Sequence, residues 1–137
     1  MNRSNSIESE PDRSAPGALP LSARVLLVED DPLDAELVLD QLREDGLDLD
    51  ARVVQDEAAY CQALREFGAD IVLSDLSLPG FSGARALELL RERDRLTPFV
   101  FVSGTIGEAA AIQALRGGAT DYILKSSMAR LASAVRR

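Results

Sequence analysis

The sequence predicts a single α/β domain, in which a parallel five-stranded sheet is covered by helices on both faces. Two observations favour this fold class: short runs rich in β-branched residues alternate five times with amphipathic stretches, and 137 residues with 46% hydrophobic content suit one core. Strand-helix-strand units of this kind form right-handed crossovers between parallel strands. The expected architecture is therefore a doubly wound (βα)5 fold, a three-layer α/β/α sandwich.

Each strand-like run is followed by a helix-like run in which apolar residues recur three or four positions apart. The strand-like runs are RVLLVE, ARVVQ, DIVLSD, PFVFVS and DYIL. The first helix shows the apolar spacing most clearly, at Ala35, Val38, Leu39 and Leu42. Helix boundaries agree, because Asp31-Pro32 and Asp56 suit helix starts and Gly46 suits a helix end.

Residues 1–22 differ from the rest of the chain, since they are rich in Ser, Pro, Asn and Glu and lack periodicity. We expect them to form a flexible N-terminal leader. They have no apolar core of a signal peptide, and no run of the chain reaches the ~20 apolar residues of a membrane span. The one cysteine, Cys61, is expected to be a half-buried structural side chain in a reducing compartment. These features predict a cytoplasmic protein with no membrane partner.

Charge and composition exclude several classes of function. The formal net charge of -8 argues against direct binding of nucleic acid, which is dominated by cations that meet phosphates. The chain contains no histidine, which excludes Ser-His and Cys-His nucleophiles and the commonest general base. Any phosphohistidine chemistry would therefore use a partner's histidine. A nucleotide site is also disfavoured, because no Gly-rich phosphate loop follows a strand.

Polar side chains end four of the predicted strands, at the edge where open α/β sheets bind their ligands. They are Glu29, Asp30 and Asp31 after the first strand, Asp75 after the third, Ser103 on the fourth and Lys125 on the fifth. The four carboxylates would repel one another unless a cation neutralised them. Carboxylate oxygens are preferred ligands of Mg²⁺. We therefore expect a Mg²⁺ site in which Asp30 is the best direct ligand and Asp31 caps the following helix.

Asp75 beside such a metal is a candidate nucleophile. An aspartate carboxylate can accept a phosphoryl group as a covalent aspartyl-phosphate, and this chemistry needs no histidine base. The metal and Lys125 would neutralise the incoming phosphoryl oxygens. Ser103 offers a hydroxyl donor, and Gly104 beside it leaves room for the phosphoryl group to approach.

Four segments of the chain, in order, resemble motifs of the receiver (REC) domain of two-component response regulators, and the likeness covers residues 23–137. VEDD is similar to the acidic pair after the first strand, and SDLSLPGFSG to the phosphoacceptor segment, whose loop is shaped by Pro79, Gly80 and Gly83. FVSGT is similar to the Ser/Thr switch segment, and DYILK to the segment with the aromatic switch residue and the lysine. Ser126 departs from the pattern, since receivers usually have proline there. SGTIGE and DYILKSSMARL look most like receivers attached to sensor kinases or cyclic-dinucleotide enzymes.

The resemblance implies the flavodoxin-like strand order 2-1-3-4-5 and a set of functional residues. The implied Mg²⁺ ligands are Glu29, Asp30, Asp75 and the backbone carbonyl of Ser77. Asp75 would be the phosphoacceptor, with Lys125 and Ser103 contacting the phosphoryl group. Ser103 and Tyr122 would be the switch residues, whose movement remodels the surface of the fourth helix, the fifth strand and the fifth helix.

The implied function is that of a phosphoacceptor signalling domain, which catalyses its own phosphorylation and dephosphorylation but is not an enzyme acting on other substrates. Its expected partners are a histidine kinase or histidine phosphotransfer protein, an effector domain C-terminal to the chain, and a second copy in a homodimer. Two alternatives stay open. One is a Mg²⁺-dependent phosphatase with an aspartate nucleophile, similar in chemistry to the haloacid dehalogenase family, although Asp75-Leu76-Ser77 lacks the second acid of its D-x-D pair. The other is a pseudo-receiver that only docks partners.

Overall fold

The computed structural model describes residues 22–104 and 108–130, in which strands and helices alternate. The strands of the main sheet are β1 (Ser22–Val28), β2 (Asp48–Val54), β3 (Ile71–Ser74), β4 (Phe99–Ser103) and β5 (Asp121–Leu124). The helices are α1 (Pro32–Glu44), α2 (Glu57–Glu66), α3 (Gly83–Arg93) and α4 (Glu108–Arg116). A short antiparallel hairpin, Ser77–Leu78 with Phe81–Ser82, lies between β3 and α3.

The five strands form one parallel sheet in the order β2-β1-β3-β4-β5. The predicted fold class and the order 2-1-3-4-5 are thereby confirmed. Strands β3 and β4 are buried along their whole length, whereas β2 lies at the edge and only Val54 of it is buried. The order reverses between β1 and β3, so the crevice beyond their carboxyl ends is where this class of sheet binds ligands.

Helices cover both faces of the sheet and create two apolar clusters. Successive residues of β1 divide between them, with Val25 and Leu27 in one cluster and Leu26 and Val28 in the other. The first cluster contains the four predicted apolar residues of α1, namely Ala35, Val38, Leu39 and Leu42. The second contains residues of the other three helices, among them Tyr60, Ala63, Leu87, Leu90 and Ala114. The molecule is therefore the predicted three-layer sandwich.

Predicted helix boundaries are also confirmed. The Asp31 carboxylate caps α1 by accepting a hydrogen bond from the Leu33 amide at 2.9 Å. The Asp56 carboxylate caps α2 in the same way, with the Ala59 amide as donor at 2.8 Å. Gly46 follows the end of α1 with a φ of 92°, a left-handed conformation that glycine adopts without strain.

The predicted fifth helix lies mostly outside the described residues. Its beginning, Lys125–Arg130, is a 3₁₀ turn that is broken at Ser127. Within the described ranges every peptide bond is trans, including the bond between Lys125 and Ser126. Residues 1–21 and 131–137 are not described, so the leader and the rest of the fifth helix stay predictions. Among the described helices, none has both the length and the apolar character needed to cross a membrane.

Candidate functional site

Strand register brings the first two parts of the site together. Val28 of β1 pairs with Ser74 of β3, so the residues that follow them, Glu29 and Asp75, leave the sheet side by side. The Asp75 amide also donates a hydrogen bond to the Val28 carbonyl at 3.0 Å. Two carboxylates that are far apart in sequence are therefore held next to each other by backbone pairing.

Pairing between β4 and β5 positions the remaining predicted residues of the site. Ser103, which is buried, ends β4 and pairs with Leu124 of β5, so Lys125 leaves the sheet next to it. Tyr122 of β5 is half-buried, and its ring centroid lies 6.2 Å from that of Phe101. The predicted hydroxyl, ammonium and aromatic groups thus occupy the same end of two neighbouring strands.

Three carboxylates form an acidic cluster at this edge. Oxygen atoms of Glu29, Asp30 and Asp75 all lie within 4.8 Å of one another. Glu29 is 3% exposed, whereas Asp30 and Asp75 are half-buried and open to solvent. A set of hard oxygen donors that combines negative charge with solvent access fits Mg²⁺, which keeps several waters in its shell. Asp31 is occupied as the helix cap, as predicted, and is not part of the cluster.

Burial raises the pKa of Glu29 above its ordinary value of 4.5, because desolvation penalises the charged form. Hydrogen bonds from Lys125 and from the Asp31 amide act in the opposite direction without cancelling this effect. The carboxylate of Glu29 is therefore harder to ionise than that of an exposed glutamate.

The Lys125 ammonium group contacts three carboxylates at once. Its Nζ lies 2.7 Å from Asp34 Oδ2, 2.9 Å from Glu29 Oε1 and 3.3 Å from Asp75 Oδ2. Burial would lower the pKa of Lys125, but the bonds to Asp34 and Glu29 and the charge of Asp75 outweigh that effect and raise it. Lys125 is therefore held as a cation beside Asp75.

Comparison with known proteins identifies the family. The family model described as the response regulator receiver domain matches residues 25–136. The chain belongs to the receiver domain family of response regulators. Receiver domains are the phosphoacceptor domains of two-component signalling, so the resemblance found in the sequence is confirmed.

Curated relatives are full response regulators that are longer than this receiver. The DNA-binding response regulator MtrA of Mycolicibacterium smegmatis is 36% identical over 102 residues, which cover 74% of this chain and 43% of MtrA. The sensory transduction protein RegX3 of Mycobacterium tuberculosis is 39% identical over 106 residues, which cover 77% of this chain and 45% of RegX3. The chain thus spans less than half the length of these relatives. The expected subtype, a receiver attached to a sensor kinase or cyclic-dinucleotide enzyme, stays a prediction.

Solved receiver structures superpose over most of the chain. A LuxR-family two-component response regulator from Aurantimonas is 30% identical with a TM-score of 0.68, and the match covers 82% of this chain and 81% of that structure. The receiver domain of the Francisella response regulator 1452 is 25% identical with a TM-score of 0.72, covering 82% and 93%. Sequence and structure therefore lead to the same family.

The loop after β3 holds the Asp75 carboxylate of this receiver in place. Asp75 Oδ1 accepts a hydrogen bond from the Leu76 amide at 2.7 Å, and the Ser74 hydroxyl donates to the Asp75 carbonyl at 2.7 Å. Gly83 then begins α3 so close to this segment that an added Cβ would lie 2.3 Å from the Asp75 carbonyl oxygen. Ser77 begins the short hairpin of this loop, and its carbonyl as a metal ligand stays a prediction.

Asp34 is the residue of this edge that sequence reasoning missed. It lies in the first turn of α1, where an acidic residue is expected simply because it suits the helix dipole. Its partner Lys125 is 91 positions away in the sequence, and no periodicity connects the two. Only the packing of α1 against the end of β5 reveals the contact.

Proposed function

We propose that this receiver accepts a phosphoryl group on Asp75 from the phosphohistidine of a partner in a Mg²⁺-dependent reaction. The observation that carries the proposal is the surroundings of Asp75, which combine the carboxylate oxygens of the acidic cluster with a lysine cation. Asp75 Oδ2 lies 3.3 Å from Lys125 Nζ, and the same carboxylate lies within 4.8 Å of oxygens of Glu29 and Asp30. A carboxylate nucleophile, oxygen ligands and a fixed cation are the groups that aspartyl phosphorylation requires.

The two oxygens of Asp75 have different surroundings, which favours one of them as the nucleophile. Oδ1 is engaged by the Leu76 amide, whereas Oδ2 faces Lys125. In the proposed step Oδ2 attacks phosphorus and a P–O bond forms while the P–N bond to the partner's imidazole breaks. The imidazole, protonated on its other nitrogen, takes the electron pair of that bond and leaves as neutral imidazole. The printed sequence has no histidine, so we place the donor outside it, on a histidine kinase or a histidine phosphotransfer protein.

Glu29, Asp30, Asp75 and the Ser77 carbonyl would hold Mg²⁺. When bound, Mg²⁺ would neutralise part of the charge on the transferring phosphoryl group. Lys125 supplies a second positive charge from the side of β5, and its raised pKa keeps it protonated. The chain's own contribution to transfer is therefore to orient Asp75, bind the metal and stabilise negative charge.

The response to phosphorylation would use Ser103 and Tyr122. Ser103 ends the strand next to Lys125, so a small movement would let its hydroxyl donate to a phosphoryl oxygen. Tyr122 is half-buried beside Phe101, so a movement of its ring could make it more or less buried. Their joint movement would alter the surface of α4, β5 and the segment after β5. That surface would act on an effector region C-terminal to the receiver or on a second copy.

Labelling with a small phosphodonor tests the proposal. The protein is incubated with acetyl phosphate in the presence of Mg²⁺ or of EDTA, and its intact mass is measured. We expect the parent to gain about 80 Da in the presence of Mg²⁺, the mass of one phosphoryl group on a carboxylate. The parent with EDTA and the Asp75→Asn variant should show no gain in mass. A parent that is never labelled would instead be a docking module without phosphoryl chemistry.

The same samples distinguish the phosphatase alternative. An enzyme of that class would hydrolyse p-nitrophenyl phosphate with many turnovers, which requires an acid to protonate the leaving group. Asp75-Leu76-Ser77 offers no such acid, so we expect hydrolysis no faster than that of Asp75→Asn. Sustained turnover that depends on Asp75 would overturn the signalling assignment.

A further inference from the structure

Asp34 makes the shortest of the three contacts between Lys125 and carboxylates. Its Oδ2 lies 2.7 Å from the ammonium nitrogen, against 2.9 Å for Glu29 and 3.3 Å for Asp75. An ammonium group has three N–H donors, so each donor has one carboxylate acceptor in this arrangement. In the proposed transfer Asp75 Oδ2 forms the bond to phosphorus and gives up its contact with Lys125, whereas Asp34 and Glu29 keep theirs. The phosphoryl oxygens must therefore share Lys125 with these two carboxylates.

Asp34 differs from the other two carboxylates in its position. Glu29 and Asp75 belong to the acidic cluster that would hold Mg²⁺, and Asp75 would itself carry the phosphoryl group. Asp34 lies on α1 and is not a member of that cluster. Neither metal binding nor phosphoryl transfer would neutralise it, so it would remain a competing anion for Lys125 after the site is loaded.

The contact between Asp34 and Lys125 is partly exposed, so Lys125 can exchange one carboxylate partner for another without movement of the core. Their side chains are 36% and 20% exposed, respectively. A cavity of about 240 Å³ borders both residues and is completed by Leu37, Val38 and Gln41 of α1. Water can therefore replace Lys125 at Asp34 when the ammonium group turns toward another anion.

We propose that Asp34 is a positioning residue that acts through Lys125, holding the ammonium group against α1 in the unphosphorylated state and competing with the phosphoryl group for it. This inference rests on the proposed function and adds to it a residue that sets how strongly the phosphorylated state is favoured. Removing the Asp34 charge should let Lys125 bind the phosphoryl group more fully. A helix-stabilising role alone would predict a loss of stability and no gain in phosphoryl binding.

The test is a titration of beryllium fluoride, a mimic of the phosphoryl group, into Mg²⁺-saturated protein, followed by NMR of the backbone amides. Asp34→Asn removes the charge but keeps the size of the side chain. We expect it to lower the half-saturating concentration about 1.4- to fivefold, the range for a partly exposed ion pair. Glu36→Gln is the matched control, because it removes one negative charge from an exposed position of the same helix and should leave the titration unchanged.

A double-mutant cycle shows whether the effect passes through Lys125. In a Lys125→Ala background, Asp34→Asn should no longer change the half-saturating concentration, whereas an effect through helix stability would persist. If Lys125→Ala binds the mimic too weakly to titrate, the rate of acetyl phosphate labelling is compared across the same four proteins. There, too, the gain from Asp34→Asn should be confined to proteins that retain Lys125.

The outcomes separate failure of this inference from failure of the proposed function. A parent that binds beryllium fluoride, together with an Asp34→Asn variant that matches Glu36→Gln or binds more weakly than the parent, would overturn the role of Asp34 alone. An equal effect of Asp34→Asn with and without Lys125 would do the same. A parent that neither binds the mimic nor takes phosphate from acetyl phosphate would overturn the proposed function and this inference with it.

Discussion

Glu29 and Asp75 leave neighbouring parallel strands at the same level, because the residues that precede them, Val28 and Ser74, are register partners. The acidic cluster is thus fixed by backbone pairing of β1 with β3. A slip of one residue between the strands would turn every side chain of the shifted strand to the opposite face and separate the two carboxylates. The geometry of the site consequently depends on the core that sets this register.

Asp30 and Asp31 are neighbours for which we predict opposite results. Asp30→Ala should abolish Mg²⁺ binding, and its melting temperature without metal should equal or exceed that of the parent, since one like charge is removed from the cluster. Asp31→Ala should retain Mg²⁺ binding but lose about 1 kcal/mol of stability, because α1 loses its cap. Thermal melts and calorimetric Mg²⁺ titrations measure both. A large destabilisation of metal-free Asp30→Ala would make Asp30 a structural residue instead.

The raised pKa of Glu29 predicts a specific dependence of stability on pH. A carboxyl group whose pKa is higher in the folded than in the unfolded state costs stability as the pH rises above its ordinary value, here 4.5. Without Mg²⁺, the stability of Glu29→Gln relative to the parent should therefore increase as the pH rises above 4.5. Lys125, whose pKa is raised from 10.5, contributes fully throughout this range. Urea unfolding of the parent and of Glu29→Gln at several pH values measures the free energy of unfolding of each protein. A difference between the two that does not change with pH would contradict the prediction.

Gly83 is predicted to be intolerant of a side chain. A Cβ there would lie 2.3 Å from the Asp75 carbonyl oxygen and 2.6 Å from a ring carbon of Phe101. Gly83→Ala should therefore lose about 1–3 kcal/mol of stability or more through overpacking. Gly80→Ala is the comparison, because its φ is 71° but no atom lies within 4 Å of its Cβ, so only backbone strain of about 1–2 kcal/mol applies.

The two glycine variants should also differ at the site. Gly83→Ala displaces the segment that carries Asp75, so its Mg²⁺ affinity should fall, whereas Gly80→Ala should bind Mg²⁺ like the parent. Urea unfolding and Mg²⁺ titration of both proteins provide the measurements. The structure indicates that the start of α3 holds the segment of Asp75 in place. A Gly83→Ala variant that is as stable as the parent and binds Mg²⁺ normally would contradict this.

Ser103 should separate phosphate uptake from the response to it. Ser103→Ala is expected to accept phosphate on Asp75 but to bind a phosphorylation-dependent partner more weakly, by about 1.5–3 kcal/mol, the range for a hydrogen bond to a charged group. Ser126→Ala, at an exposed position, is the control and should bind that partner like the parent. The comparison is made at equal phosphorylation, verified by intact mass. Equal affinity of Ser103→Ala and the parent would rule out Ser103 as a switch residue.

Local patterns in the sequence predicted most of the fold. The apolar spacing of α1 identified Ala35, Val38, Leu39 and Leu42, all of which are buried, and the capping acids Asp31 and Asp56 were found from their positions before helical runs. The residues at the strand ends were also identifiable, because a charge that ends an apolar strand has few structural explanations. These signals are local in the sequence. They are clear here because the central strands of the parallel sheet are buried and therefore apolar, so a polar residue at a strand end stands out.

Other features could not be predicted, because they depend on contacts between distant parts of the chain. The bond between Asp34 and Lys125 exists only after α1 has packed beside the end of β5. The segment after β5 was expected to be helical, and its described part, Lys125–Arg130, is a 3₁₀ turn broken at Ser127. Strand β2 also begins earlier than its β-branched run, at Asp48, because pairing with β1 extends an edge strand whose own residues are mostly exposed.

The most direct test of phosphoacceptor function is to locate the modified residue. The protein is treated with acetyl phosphate and Mg²⁺ and then with borohydride, which reduces an aspartyl phosphate to homoserine, and its peptides are sequenced by mass spectrometry. We predict homoserine at position 75 and at no other acidic residue, and none when EDTA replaces Mg²⁺. Homoserine at position 30 or 31, or an unmodified Asp75 in protein that has gained a phosphoryl group, would contradict the assignment of Asp75 as the phosphoacceptor.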